Sequence, residues 1–234
     1  MKRILSICAT ALISVTLALA ADFWSSKPYT KWSRADSTRL LTNSPWAKTT
    51  TLRTATLTVR TRGLQGVQDS QVEPLIQYAV SIRSAMPIRQ ANARMAAILK
   101  KYDKMDPAAR QQFDAKWNQY LETKFPDVIV VSVNYESNDP SLDLQLLNYF
   151  QAQTSENVKS NTWLSLPDGK RVAPANFATW PHEMQFAFPR PAGLAPDSSF
   201  AIEFQHPDVA NQPARRISSR FSVKEIMFNG APSY

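Results

Sequence analysis

The chain is poor in the residues that build covalent and metal-held sites. Its 234 residues include one cysteine, two histidines and five glycines. A single cysteine excludes an internal disulfide framework and any site built on several thiolates. Five glycines leave little material for loops that cradle phosphate. Gly63 and Gly66 are too closely spaced for one, and no Gly-Lys-Ser/Thr follows them. The Gly-x-Ser-x-Gly elbow of many serine hydrolases is absent. What is present is a globular composition, 44% hydrophobic and 20% charged, with 16 prolines and six tryptophans. Basic residues outnumber acidic ones, 27 to 19, for a net charge of +8.

The N-terminus reads as an export signal. Met1-Lys2-Arg3 gives a basic start, Ile4 to Ala20 an apolar run, and Ala18-Leu19-Ala20 a small-x-small cleavage site. The run also holds Ser6, Thr10, Ser14 and Thr16, which makes it marginal as a membrane span. Cleavage after Ala20 removes Cys8, Lys2 and Arg3 and leaves a cysteine-free chain. Such a protein is expected in the periplasm or outside the cell, with no transmembrane helix after cleavage, and held together by its core alone. The alternative is retention of the run as an anchor.

Along the remaining chain, residues 21–48 read as an N-terminal arm with a short helix. Ser33 and Asp36 have the spacing of a capping box. The helix is predicted to stop near Asn43, because Ser44 precedes Pro45. Residues 49–234 then form one domain. Thr49 to Arg60 alternates as a half-buried strand. Residues 75–84 fit a strand better than a helix, since Val and Ile dominate and Pro87 would interrupt a helix. Pro87 and Pro107 begin an apolar-striped helical pair. Val128 to Tyr135 is the clearest strand, and its near-continuous apolar run predicts burial on both faces. Asp139-Pro140 opens a third helix. Strand patterns fill the rest, beginning with Val158–Leu166 and a turn at Pro167-Asp168-Gly169. The expected fold is α+β: an antiparallel sheet or sandwich of about seven or eight strands, with a helical insertion near residues 87–154.

Charge is uneven along the chain. Residues 83–104 hold Arg83, Arg89, Arg94, Lys100, Lys101 and Lys104 against Asp103, whereas residues 105–153 are net acidic. At 100° per residue Arg89, Lys100 and Lys104 share one helix edge, with Arg94 and Lys101 beside it. This edge is either a contact site for an anionic lipid or polymer, or a solvated face that the acidic neighbour partly neutralises; the second is the commoner arrangement. No nucleic-acid docking motif is present. His182 and His206, with Glu183, Glu203 and Asp208, could supply ligands to a small metal site or the side chains of a hydrolase. Their spacing matches no helical or ribbon metal motif, and no cofactor is expected. Trp24, Trp32 and Trp46 crowd the N-terminal arm beside Lys27, Tyr29 and Lys31. They either anchor the arm across the sheet or contact a glycan or lipid interface. Tryptophan is highly buried on average, which favours the first reading.

Several segments together resemble a group of uncharacterised exported proteins found mainly in Acidobacteria. They are Lys27-Pro28-Tyr29-Thr30-Lys31-Trp32, Ser44-Pro45-Trp46-Ala47, Ser84-Ala85-Met86-Pro87-Ile88-Arg89-Gln90-Ala91, Phe186-Ala187-Phe188-Pro189-Arg190 and Glu203-Phe204. The resemblance implies export and a shared fold, and it carries no activity or catalytic residue. The leading expectation is therefore a non-catalytic exported binding or structural module of the cell envelope, with an envelope protein or an anionic polymer or lipid as partner. A peripheral polyanion binder using Arg89, Arg94, Lys100, Lys101 and Lys104 is the second reading. A secreted hydrolase around His182, Glu183, His206 and Asp208 is the third.

Overall fold

The computed structural model describes residues 23–53, 57–63, 66–209 and 213–234, with side chains outside 57–72. The N-terminal apolar run and the Thr54–Val59 alternation lie outside the described side chains.

The arm holds a short helix α1 (Phe23–Ser26), a 3-10 turn (Tyr29–Lys31) and helix α2 (Arg34–Thr42). Both halves of the capping box form at α2. Asp36 N–H donates to Ser33 Oγ at 3.0 Å and Ser33 N–H donates to Asp36 Oδ2 at 2.8 Å. These backbone and side-chain bonds from Ser33, with Lys27 nearby, hold the Asp36 carboxyl below its usual range. The strands that follow are β1 (Ala47–Arg53), β2 (Leu57–Gly63), β3 (Gly66–Val72) and β4 (Leu75–Ile82). The stretch read as one strand from Thr49 to Arg60 is thus divided: β1 pairs with β4, and β2 with β3.

Two helices come next, α3 (Met86–Leu99) and α4 (Pro107–Glu122). Pro87 sits in the first turn of α3, and Asp106 caps α4 by accepting from the Ala109 amide. Strand β5 (Val128–Ser137) leads to α5 (Pro140–Gln151) and α6 (Ser155–Asn161). Residues 155–161 correct the strand expected from Val158. Thr154 caps the helix by accepting from the Asn157 amide, and Val158 is its one buried residue. The strand there shrinks to β6 (Trp163–Ser165). Seven further strands complete the chain: β7 (Arg171–Val172), β8 (Asn176–Trp180), β9 (Glu183–Pro189), β10 (Ser199–His206), β11 (Arg215–Ser222), β12 (Met227–Phe228) and β13 (Ala231–Pro232). Gly169, at φ 83°, supplies the left-handed residue of the β6–β7 turn.

The fold is an α+β sandwich. A five-stranded antiparallel sheet in the order β1-β4-β5-β9-β8 faces a four-stranded one in the order β11-β10-β6-β7. Between them lies one core. The first sheet supplies Ile76, Tyr78, Val80, Ile82, Ile129, Val131, Val133, Tyr135, Met184, Phe186 and Phe188 at alternate positions. The second supplies Leu164, Phe200, Ile202, Phe204, Ile217 and Phe221. Each such buried side chain contributes roughly 1.5–3 kcal/mol of transfer free energy. The Tyr78 and Phe204 rings meet edge-on across the interface at 5.2 Å. Leu142, Leu146 and Phe150 of α5 close one end, where Phe150 tilts against Tyr135 at 4.7 Å.

The arm is anchored through its tryptophans. Trp32 and Trp46 are fully buried and Trp24 nearly so. Trp24 meets Trp46 edge-on at 5.6 Å, and Trp46 Nε1 donates to the Ile226 carbonyl at 3.3 Å, far along the chain. Trp32 Nε1 donates to the Lys27 carbonyl, while the Trp32 carbonyl accepts from Arg94 Nε at 2.6 Å.

A polar cleft on the outer face of the five-stranded sheet

Strand β5 is central, yet it is not buried on both faces. Ile129, Val131, Val133 and Tyr135 enter the core, whereas Asn134 and Glu136 are exposed on the opposite face. Ser132 and Asn134 interrupt the apolar run, and a side-chain period of two puts both on that second face. The pairing register extends this face across the sheet. Ala79, Asn134, Glu183 and Trp180 form one cross-strand row. Ser81, Ser132, Gln185 and Ala178 form the next. Polar and small side chains therefore floor an open cleft of about 780 Å³, within the ~300–1,000 Å³ range of small-molecule sites. Leu41 and Thr42 of α2, Asn92 of α3 and Thr49 of β1 wall one side, and Asp143 and His182 the other.

Glu183 organises the floor. Its Oε1 accepts from Ser132 Oγ, from Gln185 Nε2 at 2.8 Å and from the Arg83 guanidinium at 3.3 Å. A second pair stands at the cleft's end, with His182 Nε2 3.7 Å from Asp143 Oδ2. Asp143 Oδ1 accepts from the Ser137 amide at 2.9 Å. His182 itself occupies the left-handed region at φ 63°, in the tight turn joining β8 to β9. Its ring lies 5.6 Å from that of Tyr135. Burial pushes the Tyr135 phenol up, so its hydroxyl keeps its proton. Three carboxylates (Glu136, Asp143 and Glu183) line the cleft against one guanidinium, Arg83. The cleft is thus locally acidic in a chain with a net positive charge.

The candidate residues from the sequence are dispersed. His182 and Glu183 lie in the cleft. His206 does not: it is fully buried between the sheets, where the Tyr78 hydroxyl hydrogen-bonds its Nδ1 at 2.7 Å. Desolvation, then the positive charge of Arg215, push its pKa down to about 4, with Asp208 opposing. Burial pushes the Tyr78 phenol up. Glu203 is on the second sheet, facing Arg171 at 3.5 Å and Arg216 at 3.8 Å, whose guanidinium groups both lie over the Trp163 ring. Asp208 is exposed. No group of three or more His, Cys, Asp or Glu residues that could hold a metal occurs among the described residues. No hydrogen bond among them joins His182 to Ser132.

The five basic residues of α3 and the turn after it do not form one exposed edge. Arg89 is buried, 3% exposed. Its guanidinium lies between the rings of Tyr120 and Phe125, at 5.2 and 5.3 Å, and donates to the Tyr120 carbonyl. Desolvation lowers its pKa. Arg94 is half-buried and tied to Trp32. Lys100, Lys101 and Lys104 remain exposed. No helix among the described residues is long and apolar enough to cross a membrane.

Sequence reasoning missed Ser132, Asn134, Gln185 and Arg83. The one local signal was the Ser/Asn interruption of the β5 run. No protein-family model, curated protein or solved structure matches this chain.

Proposed function

We propose that this chain is an exported, non-catalytic binding module of the cell envelope, and that its sheet-face cleft holds a small polar ligand bearing hydroxyl or amine donors. The observation that carries the reading is the cleft itself. Its floor is a rigid five-stranded sheet, and Glu183 is fixed there by three donors. Gln77, Asn134 and Glu136 line the same space with an amide, an amide and a carboxylate. Trp180, 46% exposed, pairs in register with Glu183 on the neighbouring strand and offers a flat apolar surface there. Donor-rich ligands match this acceptor-rich lining. The saturated Glu183 oxygen favours positioning over proton transfer, and Ser132 has no histidine partner to activate it.

Thermal melts against a panel of neutral sugars, polyols and primary amines test the reading. A ligand at 100 times its Kd adds about 2.7 kcal/mol of stability and a corresponding rise in Tm. Asn134→Trp fills the cleft from an exposed position and should change intrinsic stability by no more than about 0.5 kcal/mol. The reading expects this variant to lose the ligand-induced rise. A rise that survives the substitution places the ligand elsewhere and rejects it.

A second reading has its own observation. Leu99 is 60% exposed at the end of α3, directly beside Lys100, Lys101 and Lys104. An exposed apolar side chain within a basic cluster suits an anionic membrane surface. Co-sedimentation with vesicles rich in anionic lipid should weaken when the three lysines become glutamine. Equal sedimentation of the variant rejects this reading.

A further inference from the structure

The outer face of the five-stranded sheet changes chemistry along its strands. Beyond the polar rows, Val130 pairs with Ala187, and Ala187 with Asn176. A second pocket of about 380 Å³ opens over Val130, Ala178 and Ala187, walled by Tyr120 and Phe125. Apart from Arg83, Gln185 and Asn176, its lining is apolar or aromatic. Arg83 lines both cavities. The Arg83–Glu183–Gln185 cluster therefore marks the boundary between a polar chamber and an apolar one on one continuous sheet face.

We infer that the ligand of the cleft is an amphiphile. Its hydroxylated head lies over Asn134, Glu136 and Glu183, and its acyl or alkyl tail crosses Arg83 to lie on Val130, Ala178 and Ala187. This inference rests on the cleft being a binding site, and adds that the second pocket belongs to the same ligand. The two chambers have complementary roles. The polar one supplies acceptors that fix a head group, and the apolar one rewards burial of methylenes without needing a specific contact. Arg83 bridges them because a long arginine side chain presents an apolar stem to one neighbour and a charged head to the other. Its guanidinium stays fixed on Glu183, so the boundary persists whether or not a tail is present.

Calorimetry with octyl glucoside below its micelle concentration tests the inference, with glucose and octanoate as head-only and tail-only probes. Each two methylenes buried should raise affinity by roughly tenfold, so octyl glucoside should bind at least tenfold tighter than glucose. Ala178→Trp, at an exposed position, should block the apolar chamber and return octyl glucoside to the affinity of glucose. Ala187→Phe provides a second variant with the same expectation, and thermal melts confirm that each folds. If glucose binds and the octyl chain adds nothing, the amphiphile inference fails while the cleft remains a binding site. If the octyl gain persists in both variants, the tail lies elsewhere and the inference also fails. If no probe carrying the head group binds, and no member of the sugar, polyol and amine panel does, the cleft reading itself fails.

Discussion

His206 and Tyr78 form a buried polar pair between the two sheets, and protonation of His206 sets a pH limit on the fold. The buried imidazole takes up its proton near pH 4, whereas the unfolded chain does so near 6.5. Between those values the unfolded state binds more protons. The stability tied to His206 is therefore complete above about pH 6.5 and is lost as pH falls towards 4. At ~1.36 kcal/mol per unit, the loss is about 3 kcal/mol. Urea midpoints measured from pH 7.5 to 4 should show it, and His206→Gln should flatten the slope. An unchanged slope in the variant would assign acid sensitivity to other groups. The burial of His206 was not legible in its neighbours. His206-Pro207-Asp208 reads as an exposed strand end, and burial comes from Tyr78, 128 positions earlier. The Ser33–Asp36 box was legible because both partners lie three residues apart.

Among the described α-helices, α4 is the one without a buried residue. Its link to α3 runs through Arg89, whose guanidinium fills the space between Tyr120 and Phe125. Arg89→Met keeps the bulk but loses the hydrogen bond and both cation–π attractions, at a cost of about 2 kcal/mol. Amide exchange across 107–122 should accelerate in this variant, while β5 and β9 keep their protection. Uniform acceleration would show that α4 is not an independent unit. Helix starts were legible here because Asp106-Pro107 and Asp139-Pro140 combine a capping side chain with a residue that needs no hydrogen-bonded amide. The Val158 segment was not. Its β-branched residue suggested a strand, but the Thr154 cap and a single buried contact were enough for a two-turn helix. The role of Arg89 was also hidden, since helical spacing places a side chain on a face without saying what covers that face.

For the whole molecule, the tryptophan arm and the cleft represent opposite limits of what a sequence shows. For Trp24, Trp32 and Trp46 the average burial of tryptophan favoured anchoring of the arm across the sheet over contact with a glycan or lipid, whereas Trp180 stays exposed. In that anchoring Trp46 reaches Ile226, joining the two ends of the described chain. Trp46→Ala should cost about 3–5 kcal/mol, read as a fall in denaturant midpoint. A loss under about 1 kcal/mol would mean that the arm is not integral to the core. The cleft, in contrast, is assembled by register. Ser132, Glu183 and Ala79 become neighbours only when β4, β5 and β9 pair, and beyond the Ser132/Asn134 interruption of the β5 run nothing local in the three segments announces it. The export we propose belongs to this scale as well: it predicts a mature protein that begins at Ala21, and intact-mass analysis of the secreted form checks it. An unprocessed Met1 would indicate a retained anchor.

The central claim is that the outer face of the five-stranded sheet binds a polar ligand. The most direct measurement is amide chemical-shift mapping of the full chain titrated with the panel of neutral sugars, polyols and primary amines. Saturable shifts centred on residues 77–83, 132–136 and 180–185, with the cleft walls at Leu41, Thr42, Thr49, Asn92 and Asp143, are the predicted result. Shifts confined to Lys100–Lys104 or to the Trp163 face, or no saturable shift with any member of the panel, would contradict the account.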